Sequence, residues 1–182
     1  MDRSCTVRPA TEDDMDSMLR LLAQLFSIEQ DFRIDPQRQA SGLRRLLADS
    51  ERTCILVADG RPSVAGMVTG QLVVSTAVGG LSLLVEDLVV DERSRRRGIG
   101  HSLVEALEAW GRRRGALRLQ LVADETNAAA LHFYESHSWQ RSRMVALYKG
   151  LSKRPGKNNS QATSRIGCPP EPVKVTSPPP GA

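Results

Sequence analysis

Cysteine is scarce in this chain, and what there is lies scattered. Cys5, Cys54 and Cys168 are odd in number and share no close spacing. They build neither a disulfide framework nor a thiolate metal site, a usage that suits a reducing cytosol. Cys54, inside the run Thr53, Cys54, Ile55, Leu56, Val57, reads as a small core hydrophobe. Long apolar runs are missing too: no window approaches the roughly 18 apolar residues of a membrane span. Met1 to Ser4 lead into no apolar stretch, so neither a span nor a secretory leader is expected, and the expected location is cytoplasmic. His132 and His137 are five residues apart and do not share a helix face, so no metal pair is expected.

Several common motifs are absent as well. Leu103 stands where a third glycine would complete Gly-x-Gly-x-x-Gly, and no Gly-Lys-Ser/Thr occurs, which removes support for a nucleotide triphosphatase. His101 beside Ser102 has no Gly-x-Ser-x-Gly elbow to make a hydrolase of it. The formal charge of +4 is concentrated at one end: residues 152–182 hold Lys153, Arg154, Lys157, Arg165 and Lys174 against Glu171 alone. The first 151 residues therefore carry 20 basic and 20 acidic side chains, and a nucleic-acid partner, which asks for a net basic face, is not expected. The end segment also holds seven of the ten prolines and no aromatic residue. It cannot bury enough apolar surface to offset its ordering entropy, so the expected layout is one domain over 1–151 and a disordered, Pro-rich basic tail over 152–182.

The most informative segment present is Arg95, Arg96, Arg97, Gly98, Ile99, Gly100. Before it runs an apolar, β-branched stretch, residues 83–90. After it Ile99, Leu103, Ala106, Leu107 and Trp110 recur at helical spacing. A strand that passes through a Gly-bearing basic turn into a helix N-terminus is suited to phosphate: the first-turn N–H groups lack intrahelical partners and the macrodipole adds positive charge. Around this unit the periodicities place a strand near Val7, a helix from Thr11 with Met15, Met18, Leu19, Leu22 and Phe26 inward, and a helix after Pro36 burying Leu43, Leu46 and Leu47. Strands follow at 53–58, 64–74 and 81–90, with turns at 59–62 and 79–80. The long helix closes at Gly115, then come a strand at 117–123, a short helix at 128–135, and a last strand pair near 144–149.

The order Glu86-Asp87-Leu88-Val89-Val90-Asp91, then Arg95-x-x-Gly98-x-Gly100, then Asn127-x-x-Ala130-x-x-Phe133-Tyr134-Glu135 resembles the GNAT superfamily of acyl-CoA-dependent N-acyltransferases. The likeness spans roughly residues 5 to 150. It implies an α/β (α+β) domain with a mixed, mostly antiparallel central sheet flanked by helices, its central strands splayed around acetyl-CoA as cosubstrate. Pyrophosphate would rest on the backbone N–H groups of Arg96, Arg97, Gly98, Ile99, Gly100 and His101, with Arg95 or Arg97 reaching phosphate oxygens. The pantetheine arm would pair with the strand edge at Leu88, Val89 and Val90. Asn127 matches a residue that contacts that arm, and its own chemistry also suits a turn or a helix cap.

By the same resemblance Tyr134 protonates the departing sulfur, although Phe133 also makes it an apt packing residue. Glu86 is the candidate base for the amine, acting directly or through water, with a surface carboxylate as its alternative. Strict alternation sends Asp87 to the opposite face. The acceptor expected is a small-molecule primary amine. A protein amine, or an acyl-CoA sensor without catalysis, are the alternatives. Dimers are common in the family, but no residue here shows one. Arg96 stands where the family favours glycine, and Ser136-His137-Ser138-Trp139 replaces its usual Gly-Phe.

Overall fold

The computed structural model describes residues 5–28, 33–60 and 63–151. The chain divides into two units, Met1–Met144 and Val145–Ala182. In the first, β1 (Val7–Pro9) leads through a 3₁₀ turn into α1 (Met15–Phe26) and α2 (Pro36–Ala48). Then come β2 (Thr53–Ala58), β3 (Gly66–Ser75), β4 (Gly80–Val90), α3 (Ile99–Arg113), β5 (Ala116–Leu121) and α4 (Ala128–Ser136). The five strands form one sheet in chain order, antiparallel throughout except that β4 and β5 run parallel. A parallel pair needs a long crossover, and α3 supplies it.

Two apolar clusters sandwich the sheet. Met15, Met18, Leu21 and Leu22 of α1 and Ala40 and Leu43 of α2 pack with Ile55, Val57, Met67 and Val89 on one face. Ile99, Leu103 and Leu107 of α3 pack with Leu56, Val68, Leu83 and Val85 on the other. Met18, Leu21, Leu103 and Leu107 are essentially sealed from solvent, and each such side chain contributes about 1.5–3 kcal/mol. Leu21, outside the anticipated stripe, is more deeply buried than Leu19 and Phe26. Cys54 is buried as a core residue, and burial pushes its thiol up to about 11. At the start of α1 the Asp14 carboxylate accepts from the Thr11 N–H at 2.9 Å and takes Arg8 Nη1 and Nη2 at 2.8 and 2.9 Å.

Residues 144–149 do not form the expected strand pair. No ladder is made there, and Met144, Val145, Leu147 and Tyr148 are strongly exposed; a β-branched apolar run becomes a strand only when a partner strand satisfies its backbone. The expected tail at 152–182, residues 29–32 between the first two expected helices, and Arg61 and Pro62 of the expected turn lie outside the described residues.

Candidate active site

β4 is the strand on which the site is built. On one side it pairs with β3 from Gly80 to Val90, with a register shift at Glu86 and Asp87. On the other it pairs with β5 from Leu81 only as far as Val85, opposite Leu121. Among the described residues no strand meets the far side of 86–90, so that stretch offers backbone groups without a strand partner, with Arg95 Nε engaging the Val90 carbonyl at its end, a template for an added extended chain. Leu88 and Val90 turn their side chains to the α3 cluster and Val89 to the α1 cluster, which leaves the backbone as the functional surface of these three residues.

This stretch leads into the basic turn. Asp91 opens a 3₁₀ turn, Glu92–Ser94, and its carboxylate accepts from the Arg93 N–H at 3.0 Å and from Gln24 Nε2 at 3.1 Å. Gln24 Oε1 in turn accepts the Glu92 N–H at 3.3 Å. This reciprocal bridge ties the last turn of α1 to the end of β4, and the Gln24 bond helps to hold the Asp91 carboxyl below its ordinary range. Gly98 caps α3 with φ of +78°, a left-handed conformation that costs glycine nothing. Because Gly98 has no side chain, none from the cap closes the first turn, and the first intrahelical bond is from the Ser102 N–H to the Gly98 carbonyl at 3.0 Å. The N–H groups of Ile99, Gly100 and His101 precede that bond and point out of the helix end.

The arginines differ in their engagement. Arg95 Nε donates to the Val90 carbonyl at 3.2 Å, and its guanidinium lies 3.9 Å from Glu92. Arg96 and Arg97 are exposed. Arg96 has φ of +63° and Ser138 has φ of +65°, the non-glycine residues with positive φ among those described. These are the two places where the chain departs from the glycines of the resembled pattern, so the backbone keeps the glycine conformation and an L side chain bears the strain.

α4 sits over the first turn of α3. The Phe133 ring lies against Gly100, within 3.5 Å of where a Cβ would be. Tyr134 meets Phe133 and Trp139 edge to face, with centroids 5.4 and 5.6 Å apart. Trp139 thus takes the aromatic place. Asn127 caps α4, its Oδ1 accepting the Ala130 N–H at 3.0 Å, which leaves its amide hydrogens for another partner. Sequence spacing gave no hint that the rings of His101 and His137 meet, tilted, with centroids 4.7 Å apart, because one lies in α3 and the other at the end of α4.

Glu86 is exposed and Asp87 half-buried. The expectation that they face opposite ways is wrong. Val68 pairs with Leu88 and Gly70 with Val85, so Thr69 is opposed by two residues, Glu86 and Asp87. Such a bulge breaks the period-2 alternation. Val85 faces α3 and Val89 faces α1, and the inserted residue leaves Glu86 and Asp87 together on the α1 face. Thr69 Oγ1 donates to Asp87 Oδ2 at 2.9 Å. Burial pushes the Asp87 carboxyl up, the Thr69 bond opposes that, and the Glu86 charge adds to it. Gly70 within a strand was the available sign of a bulge. Neither the hollow lined by Cys5, Ser102 and Glu105 nor the one lined by Glu51, Leu72 and Arg114 includes Glu86, Asp87 or Tyr134.

A family model described as "Acetyltransferase (GNAT) family" matches residues 15–139, from the start of α1 through α4 to Trp139. The chain belongs to the GNAT acetyltransferase family. This GNAT chain is 32% identical over 144 residues to mouse (Mus musculus) N-alpha-acetyltransferase 80, a match covering 76% of the chain and 45% of the relative. It therefore spans less than half the length of that curated relative. Among solved structures, a transcriptional regulator from Bacillus halodurans C-125 superposes with TM-score 0.68 and 25% identity, over 82% of this chain and 99% of that one. An aminoglycoside acetyltransferase, meta-AAC0020, from an uncultured soil metagenomic sample gives TM-score 0.68 at 23% identity, over 83% and 99%. The last likeness is one of fold. Family members are acyltransferases and generally use acetyl-CoA as cosubstrate. No helix of the described residues is long and apolar enough to cross a membrane.

Proposed function

We propose that this GNAT chain transfers the acetyl group of acetyl-CoA to a primary amine of a small molecule, by direct attack in a ternary complex. The observation that carries this reading is the unpaired edge of β4 at 86–90 running into the uncapped N-terminus of α3. These two features suit, in order, an amide-bearing arm and a pyrophosphate, with Arg96 and Arg97 exposed beside the latter. The thioester supplies an activated acetyl group, and the remaining demands fall on the chain. Backbone N–H groups of β4 polarise the carbonyl in the manner of an oxyanion hole. An alkyl ammonium is no nucleophile until it loses a proton, and Glu86 on the bulge takes it. The nitrogen lone pair then forms the C–N bond as the C–S bond breaks, and Tyr134 gives its proton to the sulfur. Asn127, fixed by its capping bond, offers its amide hydrogens to the pantetheine arm.

Free-thiol release from acetyl-CoA is the test, run across polyamines, amino sugars, amino acids, aminoglycosides and short peptides. Release with one class of small amine supports the reading. Glu86→Gln should then lower turnover by about 10²–10⁴-fold with acetyl-CoA affinity little changed, and an activity within a few-fold of wild type removes Glu86 from the role. A protein or peptide amine is the second reading, supported by the 32% identity to an N-alpha-acetyltransferase. Release with peptides and with no small amine decides for it.

A further inference from the structure

Glu86 has a neighbour that alternation alone turned away from it. The bulge sets Glu86 and Asp87 together against Thr69. Thr69 is fully buried, and its hydroxyl makes two bonds to the same residue: Oγ1 accepts the Asp87 N–H at 3.0 Å and donates to Asp87 Oδ2 at 2.9 Å. With the amide proton already directed at Oγ1, the hydroxyl hydrogen is turned to the carboxylate, and a hydrogen bond given to an ionised oxygen favours the ionised form. Burial and the charge on Glu86 act the other way.

The buried residues of the cluster on this face of the sheet are apolar. α1, packed over this face, turns Met18, Leu21 and Leu22 inward, and its one basic residue, Arg20, is bonded to the Ser63 hydroxyl. Gln24 is spent on Asp91 and Glu92. α2 contributes Ala40 and Leu43, and β3 contributes Met67 beside Thr69. Among the described residues no cation pairs with Asp87, and no hydrogen bond reaches its Oδ1.

We propose that Asp87 shares with Glu86 the removal of the proton from the acceptor amine, and that Thr69 is the positioning residue that holds Asp87 ionised and oriented. The inference rests on the acetyltransferase reading above. The ammonium N–H bond breaks and its proton passes to a carboxylate oxygen. The freed lone pair makes the C–N bond, the C–S electrons leave with sulfur, and Tyr134 protonates that sulfur. A second proton lost from nitrogen returns through solvent to the Tyr134 phenolate, and the carboxyl group releases its own proton to solvent, which closes the balance. Two neighbouring carboxylates do not easily stay ionised together, so one of them is poised to take a proton while the other stays charged.

The experiment is the pH profile of kcat/KM with acetyl-CoA and each of three probes: spermidine, kanamycin and tetra-alanine. Asp87→Asn keeps an oxygen for the Thr69 hydroxyl, so it tests charge without removing the anchor. It should lower kcat/KM by about 10-fold or more, with thermal stabilisation by CoA unchanged. Thr69→Val removes a bond that favours the ionised carboxylate, so the acidic limb should move to higher pH, and Thr69→Ser should restore it. A merely structural Thr69 would lower the melting temperature and leave the limb in place. Should Thr69→Val fail to fold, Asp87→Asn and Thr69→Ser still decide. Asp87→Asn within threefold of wild type at every pH overturns this inference and spares the reading beneath it; wild-type protein that releases no thiol with any probe overturns both.

Discussion

Asp14 joins β1 to α1, and neutralising it has a cost that the structure allows to be worked out. Its side chain is 8% exposed and accepts two bonds from Arg8 and one from the Thr11 N–H. The Arg8 bonds, with the Thr11 amide, hold the carboxyl at about 2, down from an ordinary 3.8. At 1.36 kcal/mol per decade, that difference amounts to roughly 2.4 kcal/mol at neutral pH. Arg8 remains 36% exposed, and screening by water brings the expected figure to about 1–2 kcal/mol. Asp14→Asn removes the charge and keeps the shape. At pH 7 it should melt about 2–8 °C below wild type, at 2–4 °C per kcal/mol for a chain of this length.

The pH dependence has a definite sign. A depressed carboxyl contributes in full above its unfolded value of 3.8 and loses its contribution as pH falls toward 2. Urea midpoints for the two proteins at pH 7, 5, 4 and 3 should therefore keep their separation down to about pH 4–5 and converge below it. Equal midpoints at pH 7, or a gap that persists undiminished at pH 3, would refute the assignment of this stability to the Arg8–Asp14 pair.

Tyr134→Phe should cut turnover by about 10²–10⁴-fold while CoA still stabilises the protein thermally; parity with wild type in thiol release removes the phenol from the chemistry. In the turn, Gly98→Ala meets no atom within 4 Å yet must hold φ of +78°, so calorimetry should show a loss of about 1–2 kcal/mol. Ser138→Gly, relieving the same conformation, should be neutral or stabilising by up to about 1 kcal/mol, and a clear loss would mean the serine hydroxyl matters more than the backbone. Two helical glycines should respond with opposite signs to alanine. Gly42 faces open space, and the change should add about 0.5–1 kcal/mol; at Gly111 the new Cβ comes within 2.7 Å of fully buried Leu83 and should cost about 1–3 kcal/mol on balance.

Local chemistry was enough to read most of the fold from the chain. Pro36 after Asp35 starts α2, with the Asp35 carboxylate accepting the Arg38 N–H at 3.2 Å. Thr53–Ala58 and Ile99–Arg113 form where periodicity put them, because the residues that set strand and helix there are neighbours in sequence. The ordered motifs 86–91, 95–100 and 127–135 also marked the candidate site, since a basic turn with Gly98 at a helix start is a local arrangement. The strand pair expected at 144–149 had only local apolar character in its favour. A strand is completed by a partner from elsewhere, so that information was insufficient.

The sequence by itself determined the family, the β4–α3–β5 unit and the residues along its strand edge. Tertiary structure alone decided what those residues face. Whether β5 follows β4 past Val85 depends on how two strands diverge across a crossover helix. Whether Asp87 joins Glu86 depends on one extra residue opposite Thr69, on a strand 18 positions away in sequence. That extra residue changes no local propensity, but it reverses which way every later side chain of the strand points, because side-chain direction in a sheet is set by register against the partner.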